Sequence, residues 1–373
     1  MIKKVTVMFI LFFVLSFPVY AADGSSDFFK ESAEISGADN LDGYLPDETR
    51  EYLEKNDINA KENGWILNAS PKTVFSHIFD FIKSGAKTPF IAGGTILAVI
   101  IISAAVSANS EQNSSAQVSN YASVAASAAA ISIPVFKTVS AASNALKGCA
   151  VFMTAFVPVF SAVVAASGKT VTSVSAGAVL IAIANVVDLV SSFVVIPLMS
   201  GYLTISIASS VSPILNKSGI ADGIKKLSLW IMSLITTVYI GILSIQTTVA
   251  SSADTLTTKT AKFVLCSTVP IAGSALSEAL TTITASMGTI KATVGVYGIV
   301  ACVAIFLPLL AELFLWRVML VLCSSAADLF SVSKLSALLK SIDSAISVLI
   351  AILLMSAALF VISLSIIVSV GKV

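Results

Sequence analysis

The chain has 373 residues, of which 56% are apolar and only 12% are charged, and its mean hydropathy is +0.95. Such a composition excludes an ordinary soluble domain, because most of the chain must have lipid rather than water as its solvent. The net charge of +1 gives no basic excess for binding nucleic acid. We therefore expect an all-α polytopic membrane protein.

Residues 1–21 have the pattern of a secretory signal peptide. Two lysines precede an apolar core from Val5 to Phe17, and Val19-Tyr20-Ala21 fits a small-x-small cleavage site. The apolar core is short for a membrane span, although an uncleaved first helix is the alternative. We expect the mature chain to begin near Ala22, with the residues that follow exported.

An acidic segment follows at residues 22–69. Residues 23–72 contain twelve acidic and five basic side chains, so their net charge is −7. The segment has few large apolar residues and cannot bury much of a core. We therefore expect it to be loosely folded and extracytoplasmic. One short helix is predicted to open at Pro46-Asp47-Glu48.

Residues 70–87 are predicted to form an amphipathic surface helix. Ser70 can cap this helix, and apolar residues recur on one side from Val74 to Ile82. Its apolar face can lie on the membrane or pack on the exported part of the protein.

Residues 88–373 form the predicted multi-spanning membrane domain. About six runs reach the roughly 20 residues that cross ~30 Å of hydrocarbon. They lie near residues 88–107, 148–167, 176–197, 227–249, 293–316 and 345–369. The stretch 121–146 is rich in alanine and serine and contains Lys137, so we interpret it as a membrane-skimming or bundle-packed helix. Five to seven spans remain compatible with the pattern.

Five prolines lie between aliphatic neighbours within apolar runs. Each removes a backbone donor, so we expect proline-broken or re-entrant helices, as in membrane conduits, or plain kinks in a packed bundle. Runs of alanine, serine and glycine such as 161–168 favour close helix association. The five prolines are Pro134, Pro158, Pro197, Pro270 and Pro308.

Candidate enzyme motifs are incomplete in this sequence. Gly168-Lys169-Thr170 resembles the end of a phosphate-binding loop, but Val163 stands where that loop needs glycine. His77 is the one histidine, so neither a zinc-protease motif nor a serine–histidine pair within the membrane can form. The four cysteines have no ligand-like spacing and are interpreted as packing residues. We expect no enzyme activity, cofactor or metal.

Two acidic residues occur within predicted spans. Asp188 and Glu312 would each cost about 2.5–3.5 kcal/mol at a helix centre, so we expect both to face the bundle interior or water. A proton or ion relay is one interpretation. A packing hydrogen bond is the other, with Glu312 near the headgroups beside Arg317 as a further option.

Polar positions set within apolar sequence resemble those of one known family. The stretch ASSADTLTTKTAKFVLCSTVPIAGSALSEA is followed by GTIKATVGVYGIV at 288–300 and FLPLLAE at 306–312. Together with the signal, the acidic segment and the run VPVFSAVVAASG, they are similar to the stage III sporulation protein AE family. Lys259 stands where that family has arginine, which keeps the charge but loses the bidentate fork.

The resemblance implies a membrane channel or scaffold subunit of a secretion-like complex between mother cell and forespore, needed for forespore development. It places the chain in the mother-cell membrane around the forespore. The implied partners are membrane lipid, other proteins of the same sporulation operon and a forespore-side protein, and a homo-oligomer is left open. A self-contained secondary transporter is the alternative function, because VPVFSAV and VPIAGSA could be paired broken helices.

The resemblance also implies which residues matter. The channel or partner contacts would be Asp254, Lys259, Lys262, Phe263, Pro270 and Gly273. Helix breaks or packing positions would be Pro158, Pro197, Gly295, Gly298 and Pro308. Residues 253–263 can form a polar, partly helical stretch in which Asp254 pairs with Lys259 or Lys262, and VPIAG can then turn the chain. An ordinary connecting loop is the alternative.

Overall fold

The computed structural model describes residues 36–60, 85–108, 114–211, 218–268 and 273–369. The predicted signal peptide and most of the predicted surface helix lie outside these residues. Regular structure in the described ranges is entirely helical. It consists of a 3₁₀ helix (Ala38–Tyr44), α1 (Asp47–Lys55), α2 (Lys87–Ala108), α3 (Ser114–Ala166), α4 (Thr170–Val190), a π-helical segment (Ser191–Val195), α5 (Ile196–Val211), α6 (Ser218–Thr268), α7 (Gly273–Leu329) and α8 (Ser333–Ser369).

Six of these helical stretches are long and apolar enough to cross a membrane. They are α2, α3, the continuous stretch of α4 and α5, α6, α7 and α8. This confirms the prediction of an all-α polytopic membrane protein with about six spans. The expected span at 176–197 belongs to the stretch that runs from α4 through the π-helical segment into α5.

The core is built around α8. Its apolar part is 78% buried, whereas that of α6 is 22% buried, so α8 is central and α6 is peripheral. The helices α7, α6, α3 and α5 all pack against α8, and α7 forms the most extensive contact with it. Because helices pack around α8, its apolar part needs apolar residues on every side. A surface helix, by contrast, needs only a single apolar stripe.

The apolar stretch 121–146 continues directly into the span 148–166 within α3. The expectation of a separate membrane-skimming helix was therefore wrong. Alanine has the highest helix propensity, so this alanine-rich stretch does not interrupt the helix. Gly148 also lies inside α3, where a Cβ would come within 2.9 Å of Pro46.

Helices α3, α6 and α7 are much longer than one bilayer is thick. They contain 53, 51 and 57 residues, which at 1.5 Å per residue correspond to about 80, 77 and 86 Å. The hydrocarbon core of a bilayer is about 30 Å thick. Each of the three helices must therefore project beyond the lipid.

Most of the predicted proline breaks are not interruptions. Pro134 and Pro158 lie inside α3, and Pro308 lies inside α7. Pro197 is the second residue of α5, which directly follows the π-helical segment. The helix widens where the proline cannot donate a hydrogen bond to the preceding turn. Pro270 lies outside the described residues.

The described part of the acidic segment is folded onto the helical bundle. Leu41 and Leu53 are buried, the 3₁₀ helix packs on α3, and α1 packs on α7. The hydroxyl of Tyr297 on α7 donates a hydrogen bond to Asp42. The prediction of a helix at Asp47 is confirmed by α1, but residues 36–60 are not loosely folded, because the bundle supplies the apolar surface that the segment lacks.

The contacts along α7 show that α2 is displaced along the bundle axis. A Cβ on Gly298 of α7 would meet Phe156 of α3, whereas Gly93 of α2 lies against Met319 of α7. These two levels are 21 residues apart on α7, which corresponds to about 32 Å. The apolar segment of α2 therefore packs on a different part of α7 from the part where Gly298 contacts α3.

Candidate functional site

The polar stretch that resembles the family signature is the end of α6. Helix α6 continues through Thr268, and α7 begins at Gly273. Residues 253–268 therefore extend a membrane helix and form no separate loop. We call residues 250–268 of α6 and 273–290 of α7 the arm. The two helices that carry the arm are in contact with one another.

Asp254 ties the base of the arm to the beginning of α4. Its carboxylate accepts hydrogen bonds from the backbone N–H groups of Val171 (2.8 Å to Oδ1) and Thr172 (2.9 Å to Oδ2). The side chain is almost completely buried, with 1% of its surface exposed. Two ionic hydrogen bonds and the positive end of the α4 dipole compensate the buried charge.

The local sequence explains why α4 needs a cap from another helix. Lys169 is the N-cap residue and provides no capping side-chain hydrogen bond. Before it, Gly168 ends α3 with φ of +80°, a conformation that a side chain would strain. The tight turn thus leaves the first N–H groups of α4 unpaired within their own segment. Asp254 supplies the missing acceptor from 82 residues away.

The structure does not bring Asp254 and Lys259 together. Lys259 is exposed, and no ion pair joins it to Asp254 among the residues that the structure describes. Lys262 lies within α6, but its side chain is outside the described part of the chain. Gly273 is the first residue of α7. The predicted Asp254–Lys259 pair is thus replaced by a cap.

Hydroxyl groups on the arm are satisfied by the helix itself. Thr255, Thr257 and Thr258 donate to the carbonyl oxygens of the residues four positions earlier, at 2.9, 3.0 and 2.9 Å. Thr281 and Thr282 of α7 do the same, at 2.7 and 3.0 Å. The threonines therefore present mainly methyl groups outward, so this stretch is less polar than its sequence indicates.

The outer face of the arm is apolar, and those of its large apolar side chains that the structure describes are exposed. Leu256 and Phe263 are 68% and 73% exposed, and their seven-residue spacing places them on one side of α6. Phe263 follows Asp254 by nine residues, so the two side chains lie on opposite sides of α6. The exposed face therefore points away from the cap. It continues the exposed residues Ile245 and Val249 of the preceding apolar stretch, and Lys259 lies within it.

A row of phenylalanines on α3 packs against two glycines of α7. The rings of Phe152, Phe156 and Phe160 stack in succession, with centroids 5.4 and 5.3 Å apart. A Cβ on Gly298 would lie 2.4 Å from Phe156, and one on Gly295 would lie 2.2 Å from Val368 and 3.2 Å from Phe160. These glycines allow α7 to approach α3 and α8 closely. The sequence analysis singled out the glycines but missed the phenylalanines, whose i, i+4, i+8 spacing was the available signal.

A polar cluster joins α6, α7 and α8. Arg317 of α7 forms an ion pair with Asp343 of α8 at 3.2 Å, and Lys225 of α6 donates to Ser344 of α8 at 2.8 Å. Glu312 accepts a hydrogen bond from the indole of Trp316 at 3.3 Å. The analysis of the sequence did not single out Asp343, which stands just before the predicted span at 345–369.

Asp188 lies on the outer side of α4. It is half-buried and accepts a hydrogen bond from Ser192 at 3.2 Å. It shares a cavity with Asn185 of the same helix, with residues of α3, and with Tyr44 of the acidic segment. Asp188 and Glu312 therefore belong to different parts of the molecule and are not brought together.

Sulfur atoms meet in the core between α3 and α7. The Sγ atoms of Cys149 and Cys302 are 3.8 Å apart, and Met153 Sδ is 3.7 Å from Cys302 Sγ. Both thiols are buried, as is that of Cys323. Within the described ranges, no three His, Cys, Asp or Glu side chains are grouped to hold a metal ion.

Comparisons with known proteins agree with the resemblance seen in the sequence. Residues 56–371 match the family described as stage III sporulation protein AE. A Bacillus subtilis (strain 168) protein named stage III sporulation protein AE is 23% identical over 167 residues, which cover 44% of this chain and 42% of that protein. The chain thus spans less than half of the curated relative that it matches. No solved structure matches significantly.

Proposed function

We propose that this chain, which belongs to the stage III sporulation protein AE family, is a channel or scaffold subunit of a secretion-like complex between mother cell and forespore. Membership of the family implies a role in sporulation, and the six apolar helices indicate a multi-pass membrane protein. The proposal adds the mother-cell membrane as the location and other proteins of the same sporulation operon as partners.

The apolar outer face of the arm supports this proposal best. The arm extends the membrane helix α6, and its base is fixed by the buried Asp254 cap. A firmly held helix that exposes Leu256 and Phe263 suits a protein interface, because large aromatic and aliphatic side chains anchor interfaces when they are covered.

The experiment is to isolate affinity-tagged chain from sporulating cells in mild detergent and to identify the proteins that accompany it. We expect Phe263→Asp to reduce the accompanying operon proteins and the yield of heat-resistant spores by about tenfold or more, since losing a buried interface anchor commonly costs at least 2 kcal/mol. The abundance of the variant in the membrane should be unchanged.

Thr257→Asp is the matched control, because Thr257 is also exposed on α6 but lies about 120° away from Phe263 around the helix. It should retain the partners and the spore yield. Equal loss in both variants would show that a charge anywhere on the arm is harmful. Isolation of the wild-type chain without any operon protein would contradict the proposed function itself.

A further inference from the structure

A cavity whose lining contains a carboxylate and an amide interrupts the apolar outer surface of α3 and α4. It has a volume of about 360 Å³ and is lined by Asp188, Asn185, Thr154, Val151, Tyr44 and two alanines of α3. We call it the Asp188 groove. The residues around it are strongly apolar and exposed, including Val151, Val186 and Leu189. A carboxylate and an amide at the centre of such a surface are costly against lipid, which indicates that lipid does not cover the groove in the assembled protein.

The carboxylate of Asp188 has little compensation from its own chain. Ser192 donates one hydrogen bond, and no ion pair of Asp188 occurs within the described part of the chain. An ionised carboxylate can accept about four hydrogen bonds. By contrast, the more deeply buried Asp254 receives two backbone N–H groups and a helix dipole. Asp188 therefore has unused capacity that points to a cationic partner.

The local backbone is adapted at the same place. The π-helical segment Ser191–Val195 begins three residues after Asp188 and contains Ser192. Pro197 follows it and lacks the N–H that would bond to the carbonyl of Phe193. The widened turn thereby accommodates the proline. Ser192 lies four residues after Asp188, the spacing at which two side chains meet on one face of a helix. Widened turns of this kind are frequent at functional sites.

The surroundings of the groove combine a membrane helix with acidic side chains. Asp188 lies within the apolar helical stretch Thr170–Ser209, which is long enough to cross a membrane. The acidic segment lies beside the groove, since Tyr44 lines it, and residues 36–60 contain seven acidic but two basic side chains. These acidic surroundings also favour a cation in the groove.

We propose that the Asp188 groove docks a transmembrane helix of another protein, with a lysine or arginine of that helix beside Asp188. The small side chains of Ala150 and Ala155 allow the backbone of a helix to approach closely. The apolar stem of such a basic side chain can lie along the apolar rim of the groove while its charged head reaches the carboxylate. The inference rests on the proposed function, because it requires a partner in the membrane.

The experiment places the photo-crosslinking residue p-benzoylphenylalanine at Val151, which lines the groove and is exposed. Irradiation of sporulating cells should yield an adduct with a second protein, which mass spectrometry identifies. Asp188→Asn should reduce this adduct about tenfold or more, because it removes the charge but keeps the shape of the side chain. The same crosslinker at Val174, which is exposed on α4 at a different level, is the control.

Charge reversal provides the decisive comparison. Asp188→Lys should abolish the adduct, and replacing the basic residue of the identified helix by glutamate should restore it. If Asp188→Lys does not accumulate in the membrane, Asp188→Asn decides alone. Adducts only with lipid or with another copy of this chain would overturn the proposal, as would an adduct unchanged in Asp188→Asn. The operon proteins could still be isolated with the chain in a way that depends on the arm. In that case the proposal for the groove would be wrong, but the proposed function would stand.

Discussion

At the scale of single residues, the buried Asp254 explains why an acidic side chain stands within apolar sequence. Its charge is balanced by two backbone N–H groups at the beginning of α4. The sequence drew attention to Asp254, but its partner is 82 residues away and consists of backbone. No periodicity or spacing identifies such a contact, because every helix has unpaired N–H groups at its start.

Replacing Asp254 tests this cap directly. We expect Asp254→Ala to lower the free energy of unfolding by about 2–4 kcal/mol, since two N–H groups lose ionic hydrogen bonds. Asp254→Asn should have a smaller effect, because the amide oxygen still accepts one bond. Thermal unfolding of the purified protein in detergent gives the comparison. Equal stability of Asp254→Ala and the wild type would contradict the cap.

A second substitution separates the cap from the connection between helices. Lys169 is the N-cap residue of α4, so Lys169→Ser can provide a local acceptor. Added to Asp254→Ala, it should recover part of the thermal stability. It cannot restore the link between α4 and α6, so spore yield should remain low if that link holds the arm. Recovery of both would mean that the cap alone matters.

At the scale of helices, the number and type of the elements were predictable, whereas their lengths were not. Hydropathy identified six spans because each contains about 20 apolar residues. It could not show that residues 121–146 belong to α3, since alanine and serine are compatible with both lipid and protein surroundings. The prolines were also ambiguous, because a buried helix can continue through a proline when neighbours support it.

The close contact between α3 and α7 provides a test at this scale. Gly298→Ala should lower the free energy of unfolding by about 1–3 kcal/mol, because the new Cβ would lie 2.4 Å from the buried ring of Phe156. Gly241→Ala is the matched control, since nothing lies within 4 Å of its added Cβ. It should stabilise α6 by about 0.5–1 kcal/mol. Shifts of the same sign in thermal unfolding would contradict this packing.

At the scale of the whole molecule, the apolar segments do not share one level. Gln246 of α6 bonds to Ser175 of α4 at 3.3 Å, and the nearby Gly177 lies against Ser161 of α3. These residues are at the level of the phenylalanine row. Gly93 of α2 instead lies against Met319. Sequence analysis treats each apolar run separately and therefore cannot detect such a displacement.

This displacement predicts different surroundings for two similar side chains. Ile245 and Ile91 are both exposed isoleucines, at 69% and 60%. The contacts place them at levels about 30 Å apart, as far as one hydrocarbon core is thick. The two side chains therefore cannot both lie near the middle of the lipid.

Spin labels on single cysteines measure this difference. The four native cysteines are first replaced by alanine, and Ile245→Cys and Ile91→Cys are made separately and reconstituted into lipid vesicles. At most one of the two labels should be relaxed strongly by oxygen, which concentrates in hydrocarbon, and not by a water-soluble nickel chelate. The other label should respond to the nickel chelate, or to neither reagent where protein covers it. Equal, strong relaxation of both labels by oxygen alone would place the two segments at one depth and contradict the displaced arrangement of α2.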